Sequence, residues 1–202
     1  AYTPSPLCVP ARSSFMTSRT PTNNRVWTNQ QVLSSSIPTW AHSLGAKGYE
    51  TTLLGRMHFI GPDQRHGFEK RPIGEYMAHL PGASMPGGPM FKKIPETTSG
   101  QDRIAVEMAG HGVTSFHRCD EMVADAACLY LNEKAIGDDQ RPFAAVVGFM
   151  MPHCPYFAPK ELFDYYYKHV GVPQPTPQEL AHEPEPIKEF MSLRGLDEPL
   201  SF

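Results

Sequence analysis

Residues 142–149 read Pro-Phe-Ala-Ala-Val-Val-Gly-Phe, an apolar run without a charged side chain. Such a run is what a strand buried on both faces of a parallel sheet requires, because crossover helices cover the two sides. A second strand is predicted over Tyr49-Glu-Thr-Thr-Leu-Leu54 from its Tyr, Thr and Leu content, ending at Gly55. Helices are predicted around these strands. From Asp120 to Lys134, Met122, Val123, Ala126, Ala127, Leu129, Tyr130 and Leu131 fall near helical spacing, with Asp120 as the cap. Ser36 to Gly45 carries a serine cap with proline close behind, and Lys47-Gly48 supplies a basic last turn and a stop. Pro10 suits the first turn of a helix, which places Cys8 at a helix N-terminus. Strands alternating with helices predict an α/β sandwich with a mostly parallel sheet.

Both predicted strands run out into a histidine, His58 in Arg56-Met-His-Phe59 and His153 in Met151-Pro-His-Cys-Pro155. Open α/β sheets bind ligands at that edge. Taken singly, a histidine or an arginine after a strand is more often a loop or core residue, and a lone cysteine is more often structural than reactive. Residues 61–112 are rich in Gly and Pro, without a sustained period, and predict an irregular insertion with at most short elements. The proline-spaced tail, Pro173 to Pro177 and His182 to Pro186, reads as extended surface chain. Cys119 and Cys128 are expected as small core residues, since no CxxC pair suggests a metal knuckle and the spacing is too sparse for a disulfide scaffold.

Charge and hydropathy narrow the partners. A formal net charge of -3 provides no basic field for nucleic acid. The longest apolar run, Phe143 to Met151, is far short of the roughly 20 residues a bilayer span needs. The chain starts at Ala1 without a signal-peptide pattern and reads as an internal part of something longer.

Cys8-Val-Pro10-Ala-Arg12, followed by Met16-Thr17-Ser18-Arg19, resembles the signature of the type I sulfatases, in which the cysteine of a Cys-x-Pro-x-Arg element is oxidised to formylglycine. Residues 48–69, GYETTLLGRMHFIGPDQRHGFE, resemble the family's second signature, where Gly-Tyr-x-Thr and a strand lead to Gly-Lys-x-His. Residues 141–166 resemble its third, a buried strand ending in Pro-His-x-Pro. The order agrees, and "MHFIGPDQRHGFE" is similar to the choline-sulfatase-like branch. The resemblance implies part of an alkaline-phosphatase-like fold. On it, residues 1–202 belong to an N-terminal catalytic domain whose first strand and C-terminal part lie outside the chain.

The resemblance also implies a chemistry. The substrate is a small-molecule sulfate ester, and a formylglycine-generating enzyme is the partner that reads Pro10 and Arg12 and converts Cys8. An aldehyde hydrate offers one hydroxyl to attack sulfur and a second to expel sulfate, a form of covalent catalysis. Arg12 stands as a fixed cation near that hydrate, Arg56 holds a sulfate oxygen, His58 takes a proton during sulfate release, and His153 protonates the leaving alcohol. Calcium is the implied divalent cation, bound by hard oxygen ligands. The formylglycine at Cys8 is the one metal contact carried over to this chain. Asp63, Asp120, Asp125 and Asp164 do not match the family's ligand elements and are expected to be surface, capping or structural residues.

The chain departs from the family pattern at Arg56, where lysine is usual, and more mildly at Ala11 and Ser18. A guanidinium keeps the charge but replaces a compact ammonium with a planar fork. Two other readings stand beside the sulfatase: a phosphonate or phosphodiester hydrolase with the same signature, and an inactive truncated remnant. A sheet without its first and last strands has exposed edges. The isolated segment is therefore expected to be poorly stable and inactive, and a cooperative thermal transition together with turnover by the isolated segment would overturn that.

Overall fold

The computed structural model describes residues 2–75, 102–171 and 173–198. In chain order its elements are α1 (Cys8–Thr17), α2 (Pro21–Asn24), α3 (Trp40–Gly45), β1 (Glu50–Gly55), β2 (Lys70–Ile73), α4 (Arg103–Glu107), β3 (Gly110–His111), α5 (Ser115–Ile136), β4 (Phe143–Gly148), β5 (Phe157–Ala158), α6 (Lys160–His169), α7 (Pro177–Ala181) and α8 (Glu185–Leu193). They fall into two units. The first holds residues 2–75 and 116–150, the second residues 102–115, 151–171 and 173–198.

In the first unit a parallel sheet has the order β2-β1-β4. The central strand β1 is buried along its whole length. It pairs with β4 in unbroken register from Glu50 opposite Phe143 to Gly55 opposite Gly148. Successive side chains of a strand point to opposite faces. Leu53 packs with Met16, Trp40, Phe59, Phe68 and Val146, whereas Leu54 packs with Val123, Ala127 and Tyr130 of α5. Helices therefore cover both faces of β1, with α1 and α3 on one side and α5 on the other.

Several expectations are corrected. The strand expected to be buried on both faces, β4, alternates exposed and half-buried residues, with Phe143 and Val147 about two-fifths open. Among the described residues it has a strand neighbour on one edge only, and α5 centres on β1. The helix around Asp120 begins earlier, at Ser115. Asp120 is not its cap; its Oδ1 accepts the Met150 N–H at 2.7 Å and ties the helix to the end of β4. The helix in 36–45 starts at Trp40 with Thr39, not Ser36, at the N-cap. Cys119 is half-buried and Cys128 exposed, so neither is a core residue, because α5 turns Val123, Ala127 and Tyr130 inward instead.

Within 61–112 the described residues contain β2 parallel to β1, α4 and β3, while residues 76–101, including "LPGASMPGGPM", lie outside the described residues.

The second unit contains the two-residue parallel pair β3-β5. His111 of β3 meets the Phe163 ring of α6 edge-on at 6.2 Å. The tail expected to be extended is helical. Thr176 caps α7 in a reciprocal box with Glu179, and proline stands in the first turn of both α7 and α8, where a missing N–H costs nothing.

Glu50, at the start of β1, is wholly buried and meets Lys70 Nζ at 2.7 Å, Lys134 Nζ at 3.2 Å and Arg141 Nη2 at 3.2 Å. Tyr130 Oη donates to its other oxygen at 2.8 Å. Burial alone raises the pKa of this carboxyl, but the hydrogen bonds from Lys70, Tyr130 and Lys134 outweigh it and hold the group below its usual value. A depressed folded-state pKa gives stability that is present above the ordinary carboxylate range and lost as pH falls through the folded value. Glu50→Ala is expected to destabilise the protein by about 3 kcal/mol at neutral pH, the low end for a broken buried pair, because Lys70 and Arg141 are half-exposed and rehydrate. The difference shrinks in acid, and denaturant titrations of both proteins across pH check it.

Candidate functional site

The strands β1 and β4 end at one level because two glycines let their backbones come closer than side chains allow. A Cβ on Gly148 would fall on the Arg56 carbonyl, and one on Gly55 would fall on the Gly148 carbonyl and within 2.9 Å of a Val123 methyl. Gly55 also has φ +79°, a left-handed value that glycine adopts freely. The Arg56 N–H donates to the Gly148 carbonyl at 2.8 Å, so the chain leaves the sheet with Arg56 fixed at the strand end. His58 comes next but one, at φ +61°, a conformation that costs a non-glycine residue about 1 kcal/mol. Met57 and Phe59, on either side of it, are sunk in the core and offset that cost.

The second contributor is the start of α1. Leu7 at the N-cap offers no capping side chain. Asn29 supplies the missing acceptor from another segment, its Oδ1 taking the Val9 N–H at 2.9 Å. Pro10 sits in the first turn, where no N–H is needed, and the Ala11 N–H closes the first helical bond to the Leu7 carbonyl at 3.0 Å. Val9 and Met16 are buried in the core. Cys8 and Arg12, four residues apart, share a face of the helix. Both are half-buried.

Four of the expected site residues come together here. Arg12 Nη1 donates to the Arg56 carbonyl at 3.4 Å. Arg56 is buried, and its Nη2 lies 3.3 Å from His58 Nδ1. Arginine cannot accept a hydrogen bond, so Nδ1 accepts and a neutral His58 carries its proton on Nε2. Burial lowers the pKa of Arg12, the like charge of Arg56 lowers it further, and Cys8 and Glu75 oppose the shift. Arginine stays charged at such a site. Two guanidiniums that repel one another beside the head of a helix form a place where an anion relieves the repulsion.

The fifth residue, His153, belongs to the second unit. It stands in the turn after β4, with Nδ1 2.8 Å from the Cys154 carbonyl and 3.4 Å from Cys154 Sγ. Sequence reasoning does not find Glu75. Its Oε1 accepts the His58 N–H at 2.9 Å, a contact across 17 residues that no local pattern marks.

The donor set does not fit a divalent cation. Among the described residues, no three His, Cys, Asp or Glu side chains stand close enough to hold a metal. Asp63 accepts the Arg65 and His66 N–H groups, Asp120 accepts that of Met150, and Asp164 pairs with Lys160. Asp125 is exposed on α5. Cys8, His58 and Glu75 are potential donors near this site, but they do not stand together as a three-ligand set.

The family profile described as Sulfatase matches residues 1–180. A choline-sulfatase of Rhizobium meliloti (strain 1021) is 39% identical over 171 residues, which cover 82% of this chain and 33% of the relative. An uncharacterised sulfatase of Escherichia coli (strain K12) is 28% identical over 192 residues, covering 92% of this chain and 37% of the relative. The chain spans about a third of the length of these curated relatives. Among solved structures, the phosphonate monoester hydrolase of Agrobacterium radiobacter aligns with a TM-score of 0.55 at 16% identity, over 85% of this chain and 36% of that one. A protein solved with its substrate D-glucosamine-2-N,6-O-disulfate aligns with a TM-score of 0.54 at 17% identity, over 87% of this chain and 31% of that one. At these identities the likeness establishes the fold, which is α/β and alkaline-phosphatase-like.

Replacing Asn29 tests how α1 is held. Asn29→Ala is expected to cost about 1 kcal/mol, the usual effect of a lost N-terminal cap, whereas Asn29→Asp keeps the acceptor and stays near wild type. Chemical denaturation of the three proteins reads the difference.

Proposed function

Since the chain belongs to the sulfatase family, we propose that the protein hydrolyses a sulfate monoester of a small alcohol at the site formed by Cys8, Arg12, Arg56 and His58, with His153 as a fifth participant. The observation that carries the reading is the pair of arginines beside the Cys8 helix start: Arg12 donates to the Arg56 carbonyl at 3.4 Å, and the charge of buried Arg56 acts on the Arg12 guanidinium. Two fixed cations suit a sulfuryl group, whose oxygens carry the charge that develops as its ester bond breaks.

Formylglycine at position 8 supplies a geminal diol, one hydroxyl to take the sulfuryl group and one whose deprotonation expels it as sulfate. The rest is work for side chains of this chain. Arg56 holds a sulfate oxygen, and Arg12 lies beside residue 8 as a second cation. His58 receives the proton of the second hydroxyl. Its Nδ1 lone pair, which faces Arg56 in the free site, becomes available as Arg56 turns to the sulfate. As the S–O bond opens, His153 delivers a proton to the oxygen of the leaving alcohol and the attacking hydroxyl gives up its proton to water; after sulfate leaves, a water molecule adds to the aldehyde and restores the diol. The balance is ester and water to alcohol, sulfate and a proton. A calcium ion in the full-length protein needs oxygen ligands beyond those of the described residues, and none of these steps passes through it. The choline-sulfatase relative makes choline sulfate the first ester to offer.

The test is made on full-length protein produced beside a formylglycine-generating enzyme. The peptide containing Cys8 is expected to carry the mass of the aldehyde, and an aryl sulfate to be hydrolysed faster than an aryl phosphodiester. An unmodified thiol with no turnover favours an inactive remnant, and preference for the phosphodiester favours the phosphonate-type hydrolase.

A further inference from the structure

We infer that Glu75 is a positioning residue for His58, acting through a closed circuit of hydrogen bonds that fixes the loop after β1. The inference rests on the proposed sulfate-ester hydrolysis only for its catalytic consequence.

The circuit runs through three side chains. Glu75 Oε1 accepts the His58 N–H at 2.9 Å and stands 3.5 Å from Arg71 Nη2. Arg71 Nη1 donates to the Gln64 carbonyl at 2.8 Å and to Gln64 Oε1 at 2.7 Å. Gln64 Nε2 donates to the Phe59 and Gly61 carbonyls, each at 2.7 Å. Residues 58–64 are therefore tied at both ends to a cation on β2 and a carboxylate just beyond it. The Arg71 and Glu75 side chains are only 10% and 3% exposed, so water competes little for these bonds.

The loop needs this support because of its own backbone. His58 holds a left-handed conformation and is buried, so its N–H must find an acceptor inside the protein. Removing the acceptor lets the peptide turn, and the imidazole turns with it, away from Arg56 Nη2. Arg56 itself is held by the sheet through its own N–H, independently of Glu75. The two site residues respond differently to the loss. The anion-holding group stays and the proton-moving group shifts, which affects turnover rather than binding.

Full-length wild type, Glu75→Ala and Glu75→Gln are compared by amide hydrogen exchange over residues 56–61 and by steady-state kinetics on a sulfate ester across pH. In Glu75→Ala, exchange at His58 is expected to quicken by roughly tenfold or more. Its kcat falls by about 30-fold, as misplacement of a reacting group predicts, while KM stays within about threefold. The acidic limb of its pH profile also moves. Glu75→Gln keeps an acceptor oxygen and recovers the protection and most of the kcat. A folded Glu75→Ala with unchanged exchange and an unchanged acidic limb overturns the inference. So does a Glu75→Gln that matches wild type in thermal midpoint but loses His58 protection. If Glu75→Ala does not fold, the glutamine variant decides alone, by protection kept or lost. Absence of turnover by wild type on every sulfate ester sinks the functional reading, while the exchange comparison still decides the role of Glu75.

Discussion

The close backbone approach at Gly55 and Gly148 is the constraint on which the first unit depends. Parallel strands β1 and β4 pair in one register along their whole length, and a slip of one residue would exchange the faces that Leu53 and Leu54 present to two different cores. The glycines close that register at one end, where any side chain would meet a carbonyl. The pairing continues through the Arg56 N–H, which makes Arg56 the last residue of the sheet in all but side-chain direction. Beyond Arg56 the chain becomes a short irregular segment pinned by Met57 and Phe59 in the core. The candidate site residues Arg56 and His58 owe their position to a packing constraint on residues with no chemistry of their own.

The head of α1 is held by the same kind of borrowed support. Its N-cap residue contributes no side-chain acceptor, and Asn29, 20 residues from Val9, provides one. A serine or aspartate before Cys8 would cap the helix locally but would also place a polar group against the helix start. With Asn29 bonding to Val9 instead, Cys8 stays the first residue of α1 and remains partly open. Val9 and Met16 fill the core, which leaves Cys8 and Arg12 half-buried. Helix geometry then converts a four-residue spacing in the chain into proximity on a surface.

The features legible in the sequence are those written in local signals. The apolar run of β4, the Tyr49–Gly55 strand and the proline of α1 each depend on a few adjacent residues, and the structure has an element at each place. The likeness of three ordered motifs to the sulfatases is of the same kind, and the family match spans residues 1–180. The illegible features depend on distance. The partial exposure of β4 depends on which strands neighbour it, and the role of Asp120 on the end of β4 across 30 residues. Prolines in the tail suggest extended chain, yet Pro177 and Pro186 stand in first helical turns, a setting in which proline favours the helix. In the site, the Cys8–Arg12 spacing is readable. The contacts of Glu75, Arg71 and Gln64 are not, since each joins segments whose meeting only the fold decides.

Strand β1 separates two electrostatic environments of opposite purpose. At its start one buried carboxylate, Glu50, is met by three cationic side chains and a tyrosine hydroxyl, two of the cations being half-exposed and so only partly desolvated. The charge there is satisfied, and an added ion has nothing to gain. At the other end Arg12 donates to the Arg56 carbonyl, and burial and the like charge of Arg56 both act on Arg12. Glu75 lies near them, but its Oε1 is engaged with the His58 N–H and Arg71. Burying cations costs free energy in the resting protein, and Glu75 offsets part of that cost at Arg12. On the proposed function, an anionic group bound beside the two arginines offsets the rest of that cost.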